Sequence, residues 1–192
     1  MYITTTILII LIFSFSLMAN LNQRFYFSHL LYPYGIRSIK QCYPIVTSNF
    51  IHASYLHLVI NLLLIYIFGN ELERVLIEHD RYRIWVFFIW LGGSIAGSTT
   101  DFIINRQKEQ FHGCGASNGA MALVAAYLSL DVDYFLKFYA ALHLKHTFIL
   151  ALVIMATLYG LLRRVGRVNY RSHFVGILTG LLIAYLIKVI SS

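Results

Sequence analysis

The sequence has little charge for its length. Only 12% of its 192 residues are charged, whereas about a quarter of the residues in a soluble domain are. The hydrophobic class makes up 59% of the chain, and the mean hydropathy is +0.70. So apolar a chain lacks the polar surface that a monomer needs in water, which excludes a soluble fold.

Cysteine is scarce as well, with two residues. Cys42 and Cys114 form neither a CxxC pair nor a zinc-binding spacing, and the chain has no HExxH sequence. No metal and no cofactor are therefore predicted. We expect two unrelated buried thiols, with a disulfide as the open alternative if both lie on one side of the membrane.

The net charge of +7 does not indicate a nucleic-acid partner. The fifteen Lys and Arg residues are scattered over all the connections instead of being grouped with aromatic residues on one face. Basic residues that flank membrane helices explain this distribution better. The predicted surroundings of the chain are a lipid bilayer.

Six apolar runs approach the length needed to cross a hydrocarbon core of about 30 Å. Their approximate ends are 4–20, 50–69, 84–99, 115–130, 146–162 and 172–190, and all eight acidic residues fall between them. Backbone amides in lipid must be satisfied within their own segment, so the runs are helices. The prediction is one all-α membrane domain over residues 1–192, a bundle of six transmembrane helices.

A secretory signal peptide is the alternative for the first run. Such peptides begin with basic residues and end at a cleavage site of small residues. No Lys or Arg precedes Arg24, and Met18-Ala19-Asn20 is a poor cleavage site. We therefore expect the first run to remain as a helix.

Polar side chains within membrane helices are costly and often mark function. His57 and Asn61 lie four residues apart in the second run and share one helical face; they could equally be hydrogen-bonding contacts between helices. Ser117 follows Gly115 at the start of the fourth run. Backbone amides at a helix start point outward, where they would stabilise developing negative charge.

The sixth run carries one helical face with little side-chain bulk, the glycine stripe, which consists of His173, Gly176 and Gly180. Ile177 lies beside this stripe and is expected to face lipid. Small residues four apart let helix backbones approach closely. If the stripe packs on the start of the fourth run, the imidazole comes within reach of the Ser117 hydroxyl. That contact would join a nucleophile to a base.

An acidic third member of such a site is not predicted. Asp131 and Asp133 follow Ser117 by about 14 residues, roughly 21 Å along a helix, and the other acids also lie in connections. The expected site is a Ser–His dyad whose histidine is oriented by packing. The lack of carboxylates inside the runs also argues against a proton-coupled transporter.

Three motifs together resemble those of the rhomboid family of intramembrane serine proteases, and the resemblance covers the whole chain. They are His52-Ala-Ser-Tyr-Leu-His57-Leu-Val-Ile-Asn61, similar to the family's second helix, Gly115-Ala116-Ser117, similar to its nucleophile motif, and His173-Phe-Val-Gly176-Ile-Leu-Thr-Gly180, similar to its base helix. The resemblance implies a six-helix bundle of rhomboid type.

The resemblance also implies the role of each residue. Ser117 would be the nucleophile and His173 the general base and acid. The oxyanion would be held by His57 and Asn61 together with the Ser117 amide. His52 matches a position near the mouth of the active site and is assigned no chemistry. Support of the site, through a tight turn or a close helix contact, is implied for Gly115, Gly176 and Gly180.

The chain departs from the family pattern at three places. Asn118 stands where the family usually has Gly, Tyr43-Pro44 where it has Trp-Arg, and Met121 where an aromatic residue packs against the base. None of these changes removes a catalytic atom.

The implied function is a serine endopeptidase that cleaves single-pass transmembrane substrates through an acyl-enzyme, in a bacterial inner or plasma membrane. The alternative is a catalytically silent protein of the same fold that binds membrane clients, although the retention of Ser117 and His173 argues against it.

The resemblance also implies cytoplasmic termini. Nine of the fifteen basic residues would then lie outside, the reverse of the positive-inside rule.

Overall fold

The computed structural model describes residues 2–79, 81–130, 146–163 and 169–190. Within these ranges the regular structure is helical, apart from a bridge between Leu31 and Gly113. Four of the described helices are long and apolar enough to cross a membrane. The prediction of an all-α membrane bundle is confirmed, while Asp131 and Asp133 lie outside the described residues.

Eight α-helices follow one another in these ranges. They are α1 (Ile3–Leu21), α2 (Gln23–His29), α3 (Pro44–Thr47), α4 (Tyr55–Glu78), α5 (Trp85–Asn105), α6 (Ser117–Leu130), α7 (His146–Arg163) and α8 (Tyr170–Ile190). α4 includes a π-helical stretch, Ile65–Gly69. Short 3-10 turns occupy Pro33–Gly35, Ile39–Gln41 and Ser48–Phe50. In the described part of the chain, the four helices that are both long and apolar enough to cross a membrane are α1, α4, α5 and α8.

Two of the long helices end elsewhere than predicted. α4 begins at Tyr55 and not at residue 50, because the Ser54 hydroxyl caps its first turn by accepting a hydrogen bond of 3.2 Å from the His57 amide. At their other ends α4 continues to Glu78 and α5 to Asn105. Both helices therefore include polar residues that the apolar runs left out.

The helix α6 is short for a membrane segment. Its 14 residues span about 21 Å, less than the hydrocarbon core of about 30 Å. It begins at Ser117 and not at residue 115, because Gly115 has a φ of 121°, which a right-handed helix does not allow. A helix of this length ends within the membrane on at least one side, where irregular backbone must be covered by protein or line a cavity.

Two acidic side chains expected in connections are buried inside helices. Glu73 in α4 is fully buried, and Asp101 in α5 is 7% exposed. The prediction that all acids lie outside the membrane segments is wrong for these two, so it no longer argues against a transporter. Each has polar partners inside the protein that offset the cost of burial, and a count of apolar residues cannot reveal such partners.

Glu73 ties α4 to the start of α1. Its carboxyl oxygens accept hydrogen bonds from the backbone amides of Thr4 (3.0 Å) and Thr5 (2.9 Å) and from the Thr5 hydroxyl (2.9 Å). One turn earlier, Gly69 leaves room for this approach, since a Cβ there would lie 2.9 Å from Thr5 Cγ2. Two free amides at the start of α1 are thus satisfied by a neighbouring helix.

The helix α6 lies between α5 and α8 and is buried along nearly its whole length. α8 crosses it at Gly176 and Gly180, where an added Cβ would come within 3.0 Å of backbone atoms of Asn118 or Ala122. Lipid is as apolar as the helix surfaces, so close van der Waals contact stabilises such a crossing. The glycine stripe therefore faces α6.

The buried face of α8 is wider than its glycine stripe. Ile177 is fully buried, so the expectation that it faces lipid is wrong, whereas Leu178 is 49% exposed. α8 packs against α5 as well as α6. A helix between two neighbours buries more than one stripe of residues.

Glu73→Leu is expected to lower the melting temperature of the protein. The change leaves the Thr4 and Thr5 amides without their acceptor, and a buried unsatisfied donor costs about 1–3 kcal/mol. Thermal unfolding in detergent, followed by circular dichroism, measures the effect. Glu71→Leu is the matched control, because Glu71 is a partly exposed acid of the same helix paired with Arg74. Equal Tm values for the two variants would contradict a stabilising role for Glu73.

Candidate active site

The side chains of Ser117 and His173 meet where α6 and α8 touch. Ser117 is the first residue of α6, and His173 lies in the first turn of α8. Ser117 Oγ and His173 Nε2 are 2.8 Å apart. For the hydroxyl to donate, Nε2 must be unprotonated, so a neutral ring carries its proton on Nδ1. The two groups have the arrangement of a nucleophile beside a base.

Backbone hydrogen bonds fix the chain that leads into α6. Gly113 exchanges two of them with Leu31, at 2.9 and 3.0 Å, and the Gly115 amide donates to the Ser48 carbonyl at 3.0 Å. Leu31 and Ser48 both belong to the long connection between α1 and α4. That connection therefore covers the irregular backbone before Ser117.

His52 holds the residue immediately before the nucleophile. The Ala116 amide donates to His52 Nε2 at 3.1 Å. His52 Nδ1 then donates to the Ser16 hydroxyl at 2.9 Å, and this hydroxyl donates to the Phe50 carbonyl at 2.9 Å. The family resemblance implied no chemistry for His52, and no motif in the sequence includes Ser16. Neither its spacing nor its motif position shows that His52 contacts the nucleophile loop.

Burial, with a smaller effect of the neighbouring His57, lowers the pKa of His52 to about 3. The His52 side chain is fully buried, and the His57 ring stands edge-on to it with the ring centroids 5.0 Å apart. Protonation would place an N–H group opposite the Ala116 amide, where an acceptor is required. The contact therefore depends on neutral His52.

His57 reaches the nucleophile loop from the first turn of α4. Gly115 makes room for its ring, since a Cβ there would lie 2.5 Å from His57 Cε1. The φ of 121° at Gly115 also favours glycine. His57 and Ser117 consequently line the same cavity.

Asn61 lies one turn further along α4 and is only 2% exposed. Its side-chain nitrogen donates to the His57 carbonyl at 2.8 Å. In the described part of the chain, the residues lining the cavity include His57 but not Asn61. Of the two side chains predicted to bind the oxyanion, His57 therefore lines the cavity, whereas Asn61 is buried and does not belong to its lining.

A cavity of about 290 Å³ lies beside the Ser117–His173 pair. Polar side chains from several elements line it, namely Asn49, His57, Ser98, Asp101 and Asn169. A cavity of this volume with several polar groups can hold water. A serine nucleophile, a histidine base and room for water are what hydrolysis by a serine enzyme requires of its active site.

Asp101 brings a carboxyl group to this cavity, although its place in the sequence indicated a connection. The predicted third segment stops at residue 99, whereas α5 continues past it. The Asp101 carboxyl group is bonded to the Asn169 side-chain amide, while His173 is bonded to Ser117. A carboxyl group that was expected in a connection therefore lines the cavity, but its hydrogen bond goes to Asn169 and not to His173. The Ser–His dyad without an acidic third member stays a prediction.

Cys42 and Cys114 are free thiols, and both are half-buried where full burial was expected. Cys114 lines the cavity and lies 3.7 Å from the Tyr26 hydroxyl. Burial raises the pKa of Cys114. Among the described residues, no group of three or more His, Cys, Asp or Glu side chains is placed to hold a metal ion.

The Rhomboid domain family matches residues 40–189, which include all three motifs and both members of the Ser117–His173 pair. This chain belongs to the rhomboid family. The expected helical bundle of rhomboid type is thereby confirmed.

One relative of this rhomboid is the Inactive rhomboid protein 1 of Drosophila melanogaster. The two sequences are 27% identical over 160 residues, which cover 83% of this chain but 10% of the relative. The chain therefore corresponds to a small part of that longer protein. Since the relative is named inactive, membership of the family does not by itself establish protease activity.

Three contacts lie at or near the positions where this rhomboid departs from the family pattern. Asn118 packs against Gly97, where an added Cβ would lie 2.5 Å from Asn118 Cγ. The Tyr43 hydroxyl donates to a backbone carbonyl of α2 at 2.6 Å. The Tyr170 ring stands edge-on to His173 with 6.5 Å between centroids. An aromatic neighbour of the histidine thus comes from α8 itself.

Acid should destabilise this rhomboid through His52. The unfolded chain protonates His52 near pH 6.5, whereas the folded ring stays neutral to about pH 3 because its pKa is lowered. Between these values the unfolded state binds more protons, so stability falls as the pH falls.

His52→Gln removes this titration while its Oε1 can still accept from Ala116. Melting temperatures in detergent, taken from about pH 7.5 to about pH 4.5, should fall less steeply for the variant than for the wild type. Parallel curves for the two proteins would show that His52 does not couple stability to pH.

Proposed function

We propose that this rhomboid is an intramembrane serine endopeptidase that cleaves single-pass transmembrane proteins. The observation that carries the proposal is the distance of 2.8 Å between Ser117 Oγ and His173 Nε2, at the start of a short, buried helix. The cavity beside the pair supports it, because a peptide bond and water must both reach the hydroxyl.

Acylation begins when Ser117 Oγ attacks the peptide carbonyl carbon and passes its proton to His173 Nε2. The carbon–nitrogen bond then breaks, and His173 returns the proton to the leaving amine. Water attacks the resulting ester, again losing a proton to His173, and Ser117 regains its hydrogen as the new carboxyl group departs. Each step uses groups of this chain and water, with no metal or cofactor.

The negative oxygen formed in each attack needs hydrogen-bond donors. The amide of Ser117 points out of the first turn of α6. His57 lines the same cavity and is one of the two side chains that the family resemblance implies for this role. Asn61 already donates to the His57 carbonyl at 2.8 Å, so its contribution would require the second hydrogen of its amide.

The substrate is proposed to be a transmembrane helix that opens near the cleaved bond. A regular helix hides its peptide groups in its own hydrogen bonds, so small or helix-breaking residues near the scissile bond should be favoured. The lipid bilayer surrounds both partners. We place the chain in a bacterial inner or plasma membrane, as the family resemblance implies.

A catalytically silent, client-binding protein is the second candidate. The name of the Drosophila relative favours it, and the Ser117–His173 contact speaks against it. A fluorophosphonate probe distinguishes the two, because only an activated serine reacts with it at an appreciable rate. Labelling of the wild type and not of Ser117→Ala would support the protease.

Ser117→Ala and His173→Ala should each abolish cleavage of a labelled transmembrane peptide without unfolding the protein. The two groups act as one unit, so the double variant should be no worse than either single variant. Product formation is measured on gels with protein purified in detergent. Cleavage that persists undiminished in Ser117→Ala would refute the proposed mechanism.

His57→Ala should slow cleavage without stopping it, since losing one oxyanion donor typically costs about 10²–10³ in rate. Asn61→Ala should also be slow if its second amide hydrogen reaches the oxyanion. Val59→Ala, on the exposed face of the same helix, is the control and should cleave normally. If Asn61→Ala misfolds while its folded fraction still reacts with the probe, Asn61 is a structural residue.

A further inference from the structure

Asp101 is an acid in the interior of a membrane protein. It is 7% exposed on α5 and lines the cavity that holds Ser117 and His173. A buried carboxyl group is costly unless polar partners compensate. One partner is the side-chain amide of Asn169, which donates a hydrogen bond to it, and the Ser172 hydroxyl of α8 is a second. The carboxyl group is therefore engaged with the residue immediately before α8.

Asn169 passes this contact on to the first turn of α8. Its backbone carbonyl accepts hydrogen bonds from the His173 amide at 3.3 Å and from the Ser172 hydroxyl at 2.9 Å. These bonds define where the helix begins. A displacement of Asn169 would consequently displace the main chain of His173.

We propose that Asp101 is a positioning residue that orients His173 through Asn169. The inference rests on the proposed function, because it concerns the base of that reaction. Apolar packing against α5 and α6 sets the position of α8 as a whole, but it is not directional. The hydrogen bond between Asp101 and Asn169 is directional and ties the start of α8 to one point on α5.

Fluorophosphonate labelling of Ser117 tests the inference without knowledge of the natural substrate. Ser117 Oγ bonds to phosphorus as fluoride leaves, and His173 takes the proton. Asp101→Leu should lower the labelling rate of folded protein by about 10²-fold, the effect of displacing a catalytic group by about 1 Å. Asp101→Asn keeps an oxygen that accepts from Asn169 and should label at nearly the wild-type rate. Ile103→Leu, at a site 67% exposed on α5, is the matched control.

Exchanging the Asp101 carboxyl group and the Asn169 amide shows whether their hydrogen bond positions His173 or only stabilises the fold. Asn169→Asp sets two carboxyl groups against each other, and they do not readily ionise together. Its labelling rate relative to the wild type should therefore be low near pH 8 and rise towards about pH 6. Combining it with Asp101→Asn restores an amide-to-carboxyl hydrogen bond of reversed polarity, which should recover both the rate and the pH profile.

Each rate is divided by the wild-type rate at the same pH, because other titratable side chains line the cavity, namely His57, His112, Cys114 and His173. If the double variant Asp101→Asn, Asn169→Asp is labelled no faster than the slower of its two single variants, the positioning role is refuted. Wild-type labelling of Asp101→Leu would refute it as well. If the folded wild type itself is not labelled, the proposed function fails and the inference falls with it.

Discussion

The close approach of α8 to α6 is the contact on which the site depends. Lipid offers apolar surface as readily as a neighbouring helix does, so the two helices gain little unless their backbones come close together. Gly176 and Gly180 permit that approach against backbone atoms of α6. The same crossing places His173 beside Ser117, with 2.8 Å between the hydrogen-bonding atoms. The contact that packs α8 against α6 is therefore the same contact that forms the Ser117–His173 pair.

The shortness of α6 imposes a second constraint. Because the helix cannot span the hydrocarbon core, irregular backbone has to be accommodated within the protein. The connection between α1 and α4 covers it through Leu31, Ser48 and His52. His52 in turn rests on Ser16 of α1. The first helix, which carries no proposed catalytic group, thereby supports the backbone of the nucleophile.

Two buried carboxyl groups link helices of the bundle through hydrogen bonds, in addition to the apolar packing. Glu73 joins α4 to α1, and Asp101 joins α5 to the start of α8. In both cases a carboxyl group accepts hydrogen bonds from amide groups near a helix end, where buried donors without a partner are costly.

The sequence by itself determined the membrane location and the approximate helices, because runs of about 20 apolar residues have few alternatives in lipid. It also singled out Ser117 and His173, since polar groups beside small residues are conspicuous in such runs. Only the tertiary structure decided that Asp101 and Glu73 lie inside, that His52 contacts Ala116, and that Asn61 is set back from the cavity. Those outcomes depend on partners distant in the sequence, and no periodicity along one chain encodes which side chain will meet which amide.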